Sequence, residues 1–277
     1  MYRIILGAAA IAAATPAFAQ SGQPTSWTGF YAGVRAGYSF QPGDGDERIN
    51  FDNNLDGRFG DTVRTTTGAD AFSPGFCGGK ARGATPAAGC VKDEDSLDFG
   101  IQAGYDFDLG KVVVGAIAEA GYGFANDSVS AFSTTPASYT MTRRMRENYG
   151  LRGRVGYALG ASRKTLVYGT AGVVWAKMEN SFRSTNAANS YSEFGDDHVF
   201  GYRGGGGVEQ KVDRHLSIGV VYLYTSLKDD GARLHVSRGT QPATNPFILA
   251  NAAGTDFMRS HSRFVTHNVS ATANFRF

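Results

Sequence analysis

Any chemistry in this 277-residue chain has to come from five histidines, two cysteines, one run of glycines and a set of charges spaced two apart in alternating segments. His198, His215, His235, His261 and His267 are scattered, and none has a serine or aspartate at a spacing that would place both on one face. In the last alternating segment His267 takes the opposite parity from Thr266 and Ser270, so no nucleophile–base pair forms there. The chain therefore reads as non-enzymatic. Two thiols, Cys77 and Cys90, without a second pair or a nearby histidine do not make a zinc site, and scattered histidines do not make another metal centre. Gly204 to Gly207 lack the Gly-Lys-Ser/Thr continuation of a phosphate loop and lie inside a strand pattern, so no nucleotide or other cofactor is expected.

The charges are more informative. Arg35, Glu119, Arg152, Arg154, Arg203 and Glu209 share the parity of glycines and small polar residues, while the other parity is aromatic and aliphatic. On a face turned to lipid, an arginine near the midplane would cost about 2 to 4 kcal/mol. They belong instead inside a lumen, as a paired network that fills a narrow barrel or, alternatively, as the charged walls of a small pore. A second group, Arg143, Arg144 and Arg146, precedes one strand, and Arg259 and Arg263 precede another. Guanidinium forks suit phosphate oxygens, which makes these five candidates for lipopolysaccharide contact, against the alternative of a solvated rim.

Strands must position these residues. Arg263 to Phe277 alternates throughout, with Val265, Val269, Ala271, Ala273, Phe275 and Phe277 on one face and Thr266, Asn268, Ser270, Thr272, Asn274 and Arg276 on the other. The same period runs through Trp27–Phe40, Leu97–Phe107, Lys111–Phe124, Glu147–Tyr157, Val199–Lys211 and Leu216–Leu227. Thr165–Met178 is apolar on both parities and gives no facing. Eight strands result. Their connections alternate long and short, with the first, from 41 to 96, rich in Gly, Asp, Thr and Pro and without periodicity. That asymmetry predicts an eight-stranded antiparallel up-and-down transmembrane β-barrel with short periplasmic turns and long extracellular loops.

Composition agrees. No window after the first residues supplies the roughly twenty apolar residues of a membrane helix. Glycine numbers 37 and the formal net charge is +2, which leaves nucleic acid without a basis as a partner. The start, with Arg3, the apolar run Ile4–Ala14, Pro16 and Ala17-Phe18-Ala19, reads as an export signal over 1–19, so the barrel domain is 20–277. In an oxidising compartment Cys77 and Cys90 are expected to join as a disulfide within the long loop.

At WTGFYAGVRAGYSF, and again at the closing ATANFRF, the sequence resembles the eight-stranded outer-membrane β-barrels of alphaproteobacteria, the small opacity-like porin-family surface antigens. The resemblance spans Trp27 to Phe277 in the strands and is absent from the loops; the long first loop and its cysteine pair depart from it. It implies a place in the outer membrane, insertion by the barrel-assembly machinery with Phe277 as the terminal aromatic signal, and a role in envelope integrity and surface exposure. The expectation is a structural and surface-contact barrel. The alternatives are a low-conductance porin and an adhesin or ligand-binding surface; the oligomeric state and the loop ligand are not legible.

Overall fold

The computed structural model describes residues 25–42, 45–93 and 95–277; the export signal expected over 1–19 lies outside them. In chain order the strands are β1 (Gly29–Phe40), β2 (Ile49–Asp52), β3 (Gly75–Gly78), β4 (Lys80–Ala81), β5 (Cys90–Val91), β6 (Ser96–Asp108), β7 (Val112–Gly123) and β8 (Asn126–Ser133). There follow β9 (Ala137–Leu159), β10 (Thr165–Ser184), β11 (Ser190–Phe194), β12 (His198–Lys211), β13 (Leu216–Lys228), β14 (Arg233–Ser237), β15 (Thr255–Arg259) and β16 (Arg263–Arg276).

Eight of these close a barrel in the order β1, β6, β7, β9, β10, β12, β13, β16, all antiparallel. The seam is made by the two ends of the chain, from Tyr31 opposite Arg276 to Phe40 opposite His267. Closure leaves no free edge in the wall, the condition for a sheet to cross a bilayer. Alternation then sorts the side chains. Val34, Ile101, Leu151, Val155, Ile218 and Phe275 are exposed on the outside, while Arg35, Gln102, Arg152 and Asn274 are buried within. The facing that sequence left open in β10 is decided by its neighbours: Leu166, Tyr168 and Val174 point inward, Val167 and Trp175 outward. Gly207 serves this packing, because a Cβ there would come within 2.8 Å of the Tyr168 ring carbon that bears the hydroxyl. On one rim the strands turn tightly. Gly110, with φ +93°, lets the chain reverse between β6 and β7, where Leu109 N–H donates to Val112 O at 2.8 Å.

The loops do not have the irregular form expected of them. Above the opposite rim, β9 and β10 continue upward, β8 extends the line of β7, and β3 adds to β8. Facing them is a second sheet in the order β11, β14, β15, β2. Ile49, Phe51, Val129, Ala131, Tyr139, Met141, Leu234, Val236 and Phe257 meet between the two sheets, joined by Phe72 and Phe247 from the connections. Phe51 packs against Phe72 at 4.4 Å and edge-on to Phe257 at 4.9 Å between ring centroids. Each such ring removed from water contributes about 1.5 to 3 kcal/mol, so this second tier has a core of its own. The stretch 41–96, expected to lack regular structure, thus carries β2 to β5, and the connection before Glu147 is the hairpin of β8 and β9. β2–β5, β11, β14 and β15 are only two to five residues long, too short to carry a readable period in the sequence.

Candidate functional site

Inside the barrel, charged side chains stand in layers. Nearest the tight turns, Trp27 is fully buried and donates its indole N–H to Arg163 O at 2.8 Å. Above it, Arg154 pairs with Asp106 and with Glu209, the latter at 2.8 Å, and Arg276 reaches Asp106 at 2.9 Å. The Tyr31 ring lies 4.9 Å from both the Arg154 and the Arg276 guanidinium carbons, and Ser217 donates to Glu209 at 2.6 Å. In the next layer Glu119 accepts Arg152 Nε at 3.1 Å, Arg152 Nη2 at 2.9 Å and Arg203 Nη1 at 2.7 Å. Higher still, Arg35 pairs with Asp98 at 2.9 Å. The structure therefore places Arg35, Glu119, Arg152, Arg154, Arg203 and Glu209 together in the lumen, each no more than 6% exposed. Asp98, Asp106 and Arg276 complete the layers and were not singled out by sequence, although all three fall on the inward parity.

A dry band of Ala125, Met145, Val174, Met178, Leu227 and Phe264 separates these layers from a second charged cluster. There Arg143 donates through Nε to Asp127 at 2.8 Å, approaches Asp229 at 3.3 Å and caps Arg263 O at 2.8 Å. Arg259 pairs with Asp127, donates through Nε to Glu47 at 2.9 Å and reaches Met141 O at 3.1 Å. This is a clamp joining the barrel to the upper tier. Burial acts to raise the Asp127 carboxyl, but Arg259 and Arg143 outweigh it and hold the group below the usual range. At Glu47 burial wins over Arg259 and pushes the carboxyl up.

The clamp corrects two of the expected lipopolysaccharide contacts. Arg143 and Arg259 are buried, at 1% and 6% exposure, and their forks are spent on internal carboxylates. For Arg143 the reason is a β-bulge in β9: Ala176 faces Asn148 but Met178 faces Met145, so one extra residue lies between and the inward and outward parities exchange. Arg143 and Met145 turn inward; Arg144 and Arg146 turn out. Arg146 meets Glu179 at 3.3 Å on the surface, Arg144 bonds Asn126, and Arg263 is exposed at the rim. A five-residue site is thus not assembled.

Cys77 and Cys90 are joined as a disulfide, next to the two-residue pairing of β4 with β5. Phe277 is 76% exposed at the end of the barrel seam. His267 lies on the lipid-facing side, stacked on Phe40 at 5.4 Å and bonded to Tyr222 Oη at 2.6 Å. His235 bonds Asp256 at 2.6 Å in the upper tier. Among the described residues, the one grouping of three metal-type ligands is the exposed Asp196, Asp197 and His198.

A family model described as "Outer membrane protein beta-barrel domain" matches residues 5–277, nearly the whole sequence. The chain belongs to this family. It is an outer-membrane β-barrel, and its place is the outer membrane of the cell. Its relatives include the 31 kDa outer-membrane immunogenic protein of Brucella melitensis, 29% identical over 181 residues that cover 60% of this chain and 73% of that one. The protein of the same name from Brucella suis matches equally. Among solved structures, the outer membrane protein OprG from Pseudomonas aeruginosa aligns over 92% of this chain and 99% of its own, with a TM-score of 0.51 and 13% identity, a likeness of fold alone.

Proposed function

We propose that this outer-membrane barrel is a closed, non-enzymatic support whose work is done at the cell surface by the tier it holds above the membrane, contributing to envelope structure and surface contact. One observation carries this reading: the lumen charges are consumed pairwise, layer by layer, with Trp27 below and the dry band above, so little water-filled path is left for ions. The tier supports the second half of the reading, since a cored, cross-linked platform presents its connections in fixed positions. An immunogenic relative in Brucella agrees with such a platform being reached from outside.

Insertion would use the barrel-assembly machinery, with Phe277 as the signal. Arg144, Arg146 and Arg263 are the arginines left to meet lipopolysaccharide phosphates at the rim. The test is single-channel conductance of the refolded protein in a planar bilayer, after a heat-modifiable gel shift has shown that the barrel is formed. Silent traces are expected. Stable steps that change with Arg35→Ala or Glu119→Gln would replace this reading by a low-conductance porin.

A further inference from the structure

The upper tier has an open seam. β10 pairs with β9 as far as Ser184, but its other ladder, to β12, ends at Lys177 opposite His198. β11, which returns beside this part of β10, pairs only with β14. Two strand edges therefore face each other across a cleft of about 500 Å³ without joining. Met178 N–H donates toward Asp197 O at 2.7 Å, which fixes the side on which even-numbered backbone groups of β10 point. By strand alternation the N–H and C=O of Asn180 and Phe182 point into the seam as well.

Side chains stand where a strand would run. The Phe182 amide lies beside the Glu193 carboxylate, which it holds down against the larger, raising effect of burial. Tyr191 packs on Phe182 at 4.8 Å and donates to Ser184 Oγ at 3.3 Å. The first of these contacts is a placeholder: a carboxylate occupies a backbone amide that a ladder would bond. Natural sheets shield free edges with charge, proline or a covering element, and here only charge does so.

We propose that this seam is a docking site for an extended, positively charged peptide segment of a partner protein, which adds as a strand between β10 and β11. This rests on the surface-contact reading above and names its partner class. Main-chain pairing would supply affinity, and alternate side chains would supply selectivity. The charge of the walls sets the sign. With Arg146 tied to Glu179, Arg259 neutralised in the clamp and Glu193 counted as the placeholder that the segment displaces, the cleft keeps Glu147, Asp196 and Asp197 against Lys177 and Arg233. Phe182 and Leu234 give the apolar floor on which every second side chain of the segment would rest.

The probe is a fluorescein-labelled octapeptide of alternating Lys and Val, titrated by anisotropy into the full-length barrel in zwitterionic nanodiscs. A control peptide has the same sequence with every second amide N-methylated, which keeps charge and side chains but cannot pair. Saturable binding of the first and at least tenfold weaker binding of the second are expected, together with slowed hydrogen exchange at the Phe182 amide. Glu193→Ala, which clears the placeholder, should tighten binding several-fold. Asn180→Pro removes a seam-facing N–H without costing a bond to β9, as proline is tolerated on strand edges; it should weaken binding at least tenfold in barrels that retain the gel shift. Equal binding of the methylated peptide, no binding even to the Glu193→Ala protein, or indifference to Asn180→Pro would overturn the proposal. A silent barrel that fails to bind overturns this inference alone, whereas conducting traces overturn the closed-barrel reading whatever the peptide does.

Discussion

Glu119→Gln is the sharpest probe of the lumen. The substitution keeps the volume and the shape of the side chain, so no cavity term enters, and it removes only the charge. In the wild type that charge answers two guanidinium groups, Arg152 through a two-pronged contact at 3.1 and 2.9 Å and Arg203 at 2.7 Å. Both arginines are at most 3% exposed, so neither can turn to water when the partner is lost. Breaking a buried pair by removing one side costs about 3 to 5 kcal/mol, because a desolvated charge is left unanswered. The amide can still accept one hydrogen bond, which sets the expectation toward the lower end, about 3 kcal/mol. Arg146→Gln, which breaks the exposed pair with Glu179, serves as the control and should cost no more than about 1 kcal/mol. The assay is urea unfolding of the barrel in phospholipid vesicles, followed by tryptophan fluorescence and by the gel shift. If Glu119→Gln lay within 1 kcal/mol of wild type, or cost no more than Arg146→Gln, the lumen layers would not be the buried, mutually dependent network described.

Three further outcomes are expected. Asp127 is held below the usual carboxylate range, so its contribution is present above the unfolded value of about 3.9 and fades as pH falls toward the folded one; Asp127→Asn should destabilise the upper tier by about 3 to 5 kcal/mol at pH 7, with the gap to wild type in urea midpoint narrowing below pH 4. Replacing Cys77 and Cys90 by serine opens a loop with a sequence separation of 13 and should cost the tier up to about 3 kcal/mol, read as faster hydrogen exchange in β3 and β8 with the gel shift intact. Phe277→Ser leaves a solvent-facing position that packs mainly on Phe275, so refolding into vesicles should change little while yield in the outer membrane of cells falls; equal yield would remove Phe277 as an assembly signal.

What the sequence determined by itself was the wall. A period of two is a local property, and Phe30, Val34, Ile101, Leu151 and Phe275 against Arg35, Gln102, Arg152 and Asn274 state which face meets lipid without reference to any partner. The alternation of long and short connections fixed the topology in the same local way, and the inward parity led to the charges of the lumen before their partners were known. Tertiary structure decided three things. It fixed the facing of β10, whose two parities are equally apolar and which turns Tyr168 inward only because β9 and β12 pair on either side. It moved Arg143 into the clamp, since the single extra residue of the β9 bulge reverses parity and a bulge is a property of two strands rather than one. It also built the upper tier. Phe51, Phe72, Tyr139, Phe247 and Phe257 come from segments up to about two hundred residues apart, and isolated aromatics in polar surroundings carry no periodic signal until pairing brings them into one core.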